Sequence, residues 1–461
     1  MTETTRARGD GPLSRTYLEV TLAVLALVTI VAFESMAVST AMPTVARELD
    51  AVRSYGFAFS VMLTAQLLGI VLAGVWSDRS GPLPGAVTGQ ALLAGGSAIC
   101  GSATTFPMFL VGRAIAGLGG GLLVVMLYVI AGRVYPESVR PRLFTLVSAA
   151  WVLPSLLGAP ISAFLTTHLS WRWVFWGVIP PILLTVAALA HAHRRVGDSS
   201  LTASGGSRDH ATHVRAAWAG LGIAVAAGAL QYGTHELRLE WSPRTTVAVA
   251  GLVGVVLVAP LLVPAGTWLM RRGLPSVMLA RAVFTGSFYA GVTYVPLYLV
   301  GQRGLSLQTA GLSLAVGAVG WAAGAWYQGH DTLHLPRHRL IEVGGVMLAA
   351  GLLLVSAVAW LDLPWWLTPV GLVLMGLAMG LGVTTTTVLS LELSPVEEHG
   401  EASSSLQLAD VLGSVLGVAA ATALFAAHHV PGQDAALFGA IFLGLAVVGA
   451  IAVPSGQRIR T

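Results

Sequence analysis

No lysine occurs anywhere in these 461 residues, and cysteine occurs once, at Cys100. A single cysteine excludes an intramolecular disulfide and every zinc motif built on paired cysteines. Charge is scarce: 10% of residues are Asp, Glu, Lys or Arg, against roughly 25% in soluble domains. There is no phosphate-cradling loop, no nucleophile elbow, and no metal-ligand spacing of His, Asp or Glu. His330, His334 and His338 are four apart, but Pro336 breaks any shared helical face, so they read as loop histidines. The expectation is a protein with no cofactor, no metal and no catalytic centre. An integral-membrane transferase is the remote alternative, and it would need polar catalytic groups gathered at one membrane face.

What is abundant is apolar sequence. Hydrophobic residues make up 55% of the chain, in runs about as long as the roughly 20 residues a bilayer-spanning helix needs. The runs lie near 17–41, 55–76, 84–105, 107–131, 143–165, 172–191, 216–234, 244–266, 276–300, 308–328, 338–360, 365–391, 403–426 and 434–454. The expected fold class is an all-α membrane protein of about fourteen transmembrane helices.

All 25 basic residues are arginine. If the N-terminus is cytoplasmic, eighteen of them fall inside and six outside, with Arg113 within a run. That threefold bias follows the positive-inside rule and places both termini in the cytoplasm. It counts Arg281 among the inner-loop residues. Dispersed over many loops, the arginines are a poor nucleic-acid surface. The polar N-terminal segment has no small-residue cleavage site after a short apolar core and reads as a cytoplasmic tail, in a multi-pass plasma-membrane protein.

The longest polar stretch between runs is rich in Gly, Ser and charge and reads as a flexible linker. The back of the chain resembles the front. WVLPSLLGAPISA (151–163) aligns with DVLGSVLGVAAAT (410–422), and Gly74-Val75-Trp76 aligns with Gly324-Ala325-Trp326, at offsets near 255 residues. The expected division is a tail at 1–16, a six-helix bundle at 17–192, a linker at 193–213, two inserted helices at 214–270, a second six-helix bundle at 271–454, and a tail at 455–461. Paired halves with a site between them, near mid-membrane, are a common transporter plan.

Glu34 interrupts the first run, in LVTIVAFESMAVSTAMP. A charge at membrane depth costs about 2.5–3.5 kcal/mol on insertion scales, so it needs a partner or a watery cavity. Counting a 1.5 Å rise per residue, Glu34 lies roughly 20 Å from the inner end of its helix and Arg113 roughly 10 Å from the outer end of the fourth. In a core about 30 Å thick the two sit at similar depth. They are expected to pair, either as a proton site or as a static helix clamp. Asp410 is the other acid inside a run. It is read as a cation or second-proton site or, equally, as a helix-packing residue.

Five segments carry a resemblance. GVWSDRSG (74–81) follows the second run, with Gly74, Asp78, Arg79 and Gly81 in the pattern G-x-L-x-D-R-x-G-R; Pro82 departs from it. FLVGRAIAGLGGG (109–121) carries Arg113, Gly117 and Gly119 as R-x-x-x-G-x-G. LLGAPISA (156–163) keeps Gly158 and Pro160 of G-x-x-x-G-P-x-x-G, although Ala159 intervenes and Ala163 replaces the later glycine. ESMAVSTAMP (34–43) is similar to D-x-T-x-x-x-x-A-x-P, with Glu34 as the acid and Pro43 as the proline. SWRWVFW (170–176), opening the sixth run, also fits. On these residues the chain resembles the major facilitator superfamily, and within it the drug:proton antiporters with fourteen helices.

The resemblance implies two six-helix bundles plus two inserted helices. It implies proton-coupled efflux of small amphipathic compounds by alternating access, with proton symport or export of an endogenous metabolite or lipid as the alternative. Partners would be a small-molecule substrate, protons and the lipid bilayer, with the protein a monomer. Proton coupling would fall to Glu34, Arg113 and Asp410. Gating would fall to Gly74, Asp78, Arg79 and Gly81, and the antiporter motif to Gly158 and Pro160. The first, fourth, ninth and twelfth runs would line the cavity. Its candidates there are Phe284, Phe288, Tyr289, Tyr294 and Tyr298, with Thr384 and Thr387 from the threonine run 384–387.

Overall fold

Backbone polar groups in hydrocarbon must pair within their own segment, which favours helices. The computed structural model describes residues 11–14, 17–136, 139–196, 210–234, 242–328, 335–395 and 399–459, and among them there is no strand. The helices are α1 (Leu18–Glu48), α2 (Tyr55–Ser80), α3 (Pro82–Ser102), α4 (Phe106–Val134), α5 (Arg140–His168), α6 (Arg172–Trp176), α7 (Ile179–Val196), α8 (His210–Thr234), α9 (Pro243–Val258), α10 (Leu274–Gly301), α11 (Leu307–Gln328), α12 (Arg337–Trp360), α13 (Leu367–Glu392), α14 (His399–His428), α15 (Ala435–Ala450) and α16 (Ala452–Gln457). Prolines open α3 and α9 at positions where a missing N–H costs nothing.

Twelve spans among the described residues are long and apolar enough to cross a membrane, so the expected fourteen crossings are not all supported. The runs at 143–165 and 216–234 fall on α5 and α8, which are not among the twelve. Other differences are local. Helix α7 continues to Val196 and α8 begins at His210, both inside the expected linker. Helix α9 stops at Val258, and a 3-10 turn over Ala259–Leu261 takes up Pro260. His338 lies in the first turn of α12 and not in a loop, while His330 and His334 lie outside the described residues. Arg281 stands seven residues inside α10, not in a loop.

The packing has a reciprocal pattern. In the front, α1 packs on α5, α2 on α4, and α3 on α4; in the back, α10 packs on α14, α11 on α13, and α12 on α13. The front meets the back through α2 on α14 and α5 on α11. The aligned segments pair α2 with α11 and α5 with α14. Exchanging the halves therefore turns one joint into the other, as a two-fold arrangement of similar units requires. Helices α8 and α9 pack on each other, and α8 also contacts α2 and α14.

One buried hydrogen bond holds α8 to α2: Gln231 Nε2 donates to Thr64 Oγ1 at 2.7 Å. Interhelical hydrogen bonds in membranes average about 0.6 kcal/mol and reach about 1.7. Gln231→Leu is therefore expected to lower the detergent-solubilised unfolding temperature only slightly. Thermal melts of the two proteins check this.

Candidate functional site

The two ends of the molecule are built differently. The termini share one face: Gly273 N donates to the Arg458 carbonyl, and Tyr135, just past α4, reaches Thr21 near the start of α1. At the opposite face the halves are fused. Tyr55 of α2 donates its hydroxyl to the Thr293 carbonyl at 2.9 Å and packs its ring on Tyr294. Tyr294 reaches Thr422 of α14 at 3.3 Å. One apolar core there runs from Ala37, Tyr55 and Phe109 of the front half to Tyr294 and Phe425 of the back half. At the termini face the front half has a separate core around Val24, Leu123 and Leu143.

Backbone contact makes the fusion tight. A Cβ placed on Gly56 would lie 2.0 Å from Thr422 Oγ1 and 2.4 Å from the Tyr294 hydroxyl. Gly56→Val is expected to block this closure and favour the reverse state. An overpacking cost of about 1–3 kcal/mol corresponds to a population shift of about 5- to 150-fold. In a Cys100→Ser, Thr387→Cys background, labelling by an impermeant thiol reagent from the termini face should fall accordingly.

Four Asp, Glu or Arg residues stand seven or more positions from both ends of their described helices: Glu34, Arg113, Arg281 and Asp410. The structure brings them together as two ion pairs. In the front half Arg113 Nη1 donates to Glu34 Oε1, and both side chains are 3% exposed. Arg113 Nε also points to the Ala58 carbonyl of α2 at 3.4 Å, so the pair ties α1, α2 and α4. Helix α4 can lie close to its neighbours because glycines line it. A Cβ on Gly117 would meet the Met62 carbonyl of α2 at 2.2 Å, and one on Gly119 the Gly89 carbonyl of α3 at 2.5 Å.

In the back half Arg281 Nε donates to Asp410 Oδ1 at 2.5 Å, with the side chains 10% and 22% exposed. Arg281 Nη1 donates to the Val383 carbonyl at 2.8 Å and to Thr386 and Thr387 at 3.3 Å. This partner of Asp410 was missed in the sequence, although a cation five residues into the ninth run signals it.

At this depth several side chains of the two halves keep exposed surface, Asp410 and Thr387 among them. Tyr128 of α4 is 46% exposed and lies near Gln407 of α14, within electrostatic range of Arg281 and Asp410. Tyr289 is in range of the same pair. Thr387 is exposed, Thr384 is half-buried, and both hydroxyls bond back to their own helix.

Other candidates sit elsewhere. Phe284 is fully buried with its ring against Gly344 and Gly382, inside the back half. Phe288 packs edge-on against Trp321 of α11. Tyr294 belongs to the fused end, and Tyr298 accepts a hydrogen bond from Arg303 there. Thr385 and Thr386 are buried.

The segment 74–81 is not a loop through most of its length, since α2 runs to Ser80. Gly81 has φ 75°, the turn geometry that glycine tolerates. A Cβ on Gly74 would meet no described atom within 4 Å, so close backbone approach does not explain that glycine. The side chains of Asp78 and Arg79 lie outside the described residues. Gly158 faces α1 at ordinary contact, 3.4 Å from the Phe33 carbonyl. The tighter joint to the back half is next to it, where a Cβ on Gly311 would lie 3.0 Å from the Ala159 carbonyl. Pro160 stands within α5, which continues through it.

The family model described as Major Facilitator Superfamily matches residues 24–418. The chain belongs to this superfamily. Among similar proteins is an uncharacterised MFS-type transporter of Mycobacterium tuberculosis, 28% identical over 440 residues and 90% of this chain. The chain spans about 60% of that relative's length. Multidrug resistance protein 3 of Bacillus subtilis is 22% identical over 84% of this chain and 75% of its own. Among solved structures, a peptide transporter of the POT type overlays with a TM-score of 0.73 over 98% of both chains at 14% identity. A D-xylose-proton symporter overlays at 0.62, covering 96% and 99% of the two chains at 16% identity. These overlays concern the fold of this major facilitator protein, not its cargo.

Proposed function

We propose that this transporter exports small amphipathic organic molecules in exchange for protons, by rocking its two halves about the α2–α14 and α5–α11 joints. The observation that carries the reading is the Glu34–Arg113 pair. A carboxyl sealed against an arginine inside a helix bundle holds its proton or loses it according to the distance and hydration of that arginine. Rocking that alters either one changes proton affinity, which is coupling in physical terms.

The exposed surface beside Tyr128 suits a cargo site open to the termini face, which we take as cytoplasmic from the arginine bias. Glu34 and Pro43 fit the drug:proton antiporter branch, and a multidrug resistance protein is among the relatives. The divisions at 17–192, 214–270 and 271–454 serve as working boundaries for the bundles and the inserted pair. We take the working unit to be a monomer in the plasma membrane.

The test is purified protein in proteoliposomes carrying a pH-sensitive dye. Adding an amphipathic cargo should evoke proton movement opposite in direction to cargo flux. Proton and cargo moving together would replace export by uptake; cargo flux with no proton response would remove coupling.

A further inference from the structure

We infer that the Arg281–Asp410 pair is the polar anchor of the cargo cavity and makes it selective for electroneutral amphipathic molecules, uncharged or zwitterionic, over net cations and net anions. This rests on the reading of the exposed surface between α4 and α14 as the cargo site.

The contact is single. Only Nε meets only Oδ1, while Nη1 is spent on Val383, Thr386 and Thr387 of α13. Among the described residues Nη2 of Arg281 and Oδ2 of Asp410 have no hydrogen-bond partner. A guanidinium fork can make two parallel bonds to a carboxylate, and here half of that capacity is unused. The pair retains exposed surface, whereas Glu34 and Arg113 are sealed. That surface therefore offers one free donor and one free acceptor side by side, near Tyr128, Tyr289 and Gln407.

Charge bookkeeping follows from these partners. No further Asp, Glu or Arg stands deep in a described helix. A cationic cargo at Oδ2 stands beside the positive charge of Arg281, and an anionic one at Nη2 stands beside the negative charge of Asp410. Either approach sets like charges side by side against a partly exposed ion pair, which is costly. A neutral or zwitterionic cargo uses Nη2 and Oδ2 and leaves the pair intact.

The experiment measures binding to detergent-purified protein by tryptophan quenching, with no pH gradient. The probes share one aromatic scaffold and carry a hydroxyl, a quaternary ammonium or a sulfonate. Wild type should bind the hydroxyl compound tightest. Arg281→Gln should improve relative affinity for the ammonium compound, and Asp410→Asn that for the sulfonate, each by about ten- to hundredfold, the range of a charged hydrogen bond. The double variant should return to the neutral preference. Wild type binding either ion more tightly than the hydroxyl compound overturns the proposal even if the variants do not fold. So does an unchanged charge preference in folded single variants. Binding of none of the three probes by wild type overturns the cargo-site reading itself. Absence of proton exchange in liposomes touches only the coupling.

Discussion

Replacing Glu34 by glutamine is expected to abolish uphill transport while leaving cargo binding nearly intact. The amide oxygen can still accept from Arg113, so the α1–α4 contact persists in shape. What disappears is the proposed place of proton attachment. One proton moving down a one-unit pH gradient supplies about 1.4 kcal/mol, enough for roughly tenfold accumulation. The variant should drive cargo only to equal concentrations on both sides. Flux in proteoliposomes and quenching-based affinity, measured together, decide the matter. Gradient-driven accumulation equal to that of wild type would mean that Glu34 is only a clamp.

The second large effect is expected at Gly417→Val. A Cβ there would lie 2.2 Å from the Gly286 carbonyl of α10, and one on the neighbouring Gly413 would lie 2.1 Å from the Ala282 carbonyl. Backbone cannot yield as a flexible side chain does. Forcing α10 and α14 apart costs about 1–3 kcal/mol or more by overpacking, and it also pulls Asp410 from Arg281. The repeat supplies an internal control. Gly158, aligned with Gly417, has its nearest neighbours at 3.4 Å, so Gly158→Ala should be nearly silent. Thermal unfolding in detergent should show a large drop for the first variant and little change for the second. Equal drops would contradict the asymmetry of the α10–α14 and α1–α5 contacts.

Part of this site was legible in the chain because charge inside an apolar run is a strong signal. Glu34, Arg113 and Asp410 stand out on that ground, and helix rise alone puts the first two at one depth. Arg281 escaped because an arginine near a run's end fits an orientation rule equally well. Its partner, 129 positions away, is set by packing and not by local pattern. The cavity-facing and packing aromatics of α10 were not separable for another reason. In its most apolar window 89% of residues are buried, so no amphipathic stripe separates a cavity face from a packing face. Phe284 and Tyr289 look alike in such a sequence, and only neighbours such as Gly344 and Gly382 tell them apart. The glycines were readable as close packing, but their opposing carbonyls were not.

On the proposed proton exchange, the deep charges also set how membrane voltage acts on the protein. Arg113 cancels Glu34, and Arg281 cancels Asp410, so the unloaded protein reorients with no net charge in the field. Protonating Glu34 leaves Arg113 uncompensated, and one elementary charge then travels with the front half. At about 2.3 kcal/mol per 100 mV for a full crossing, the electrical force falls on the proton-loaded step alone.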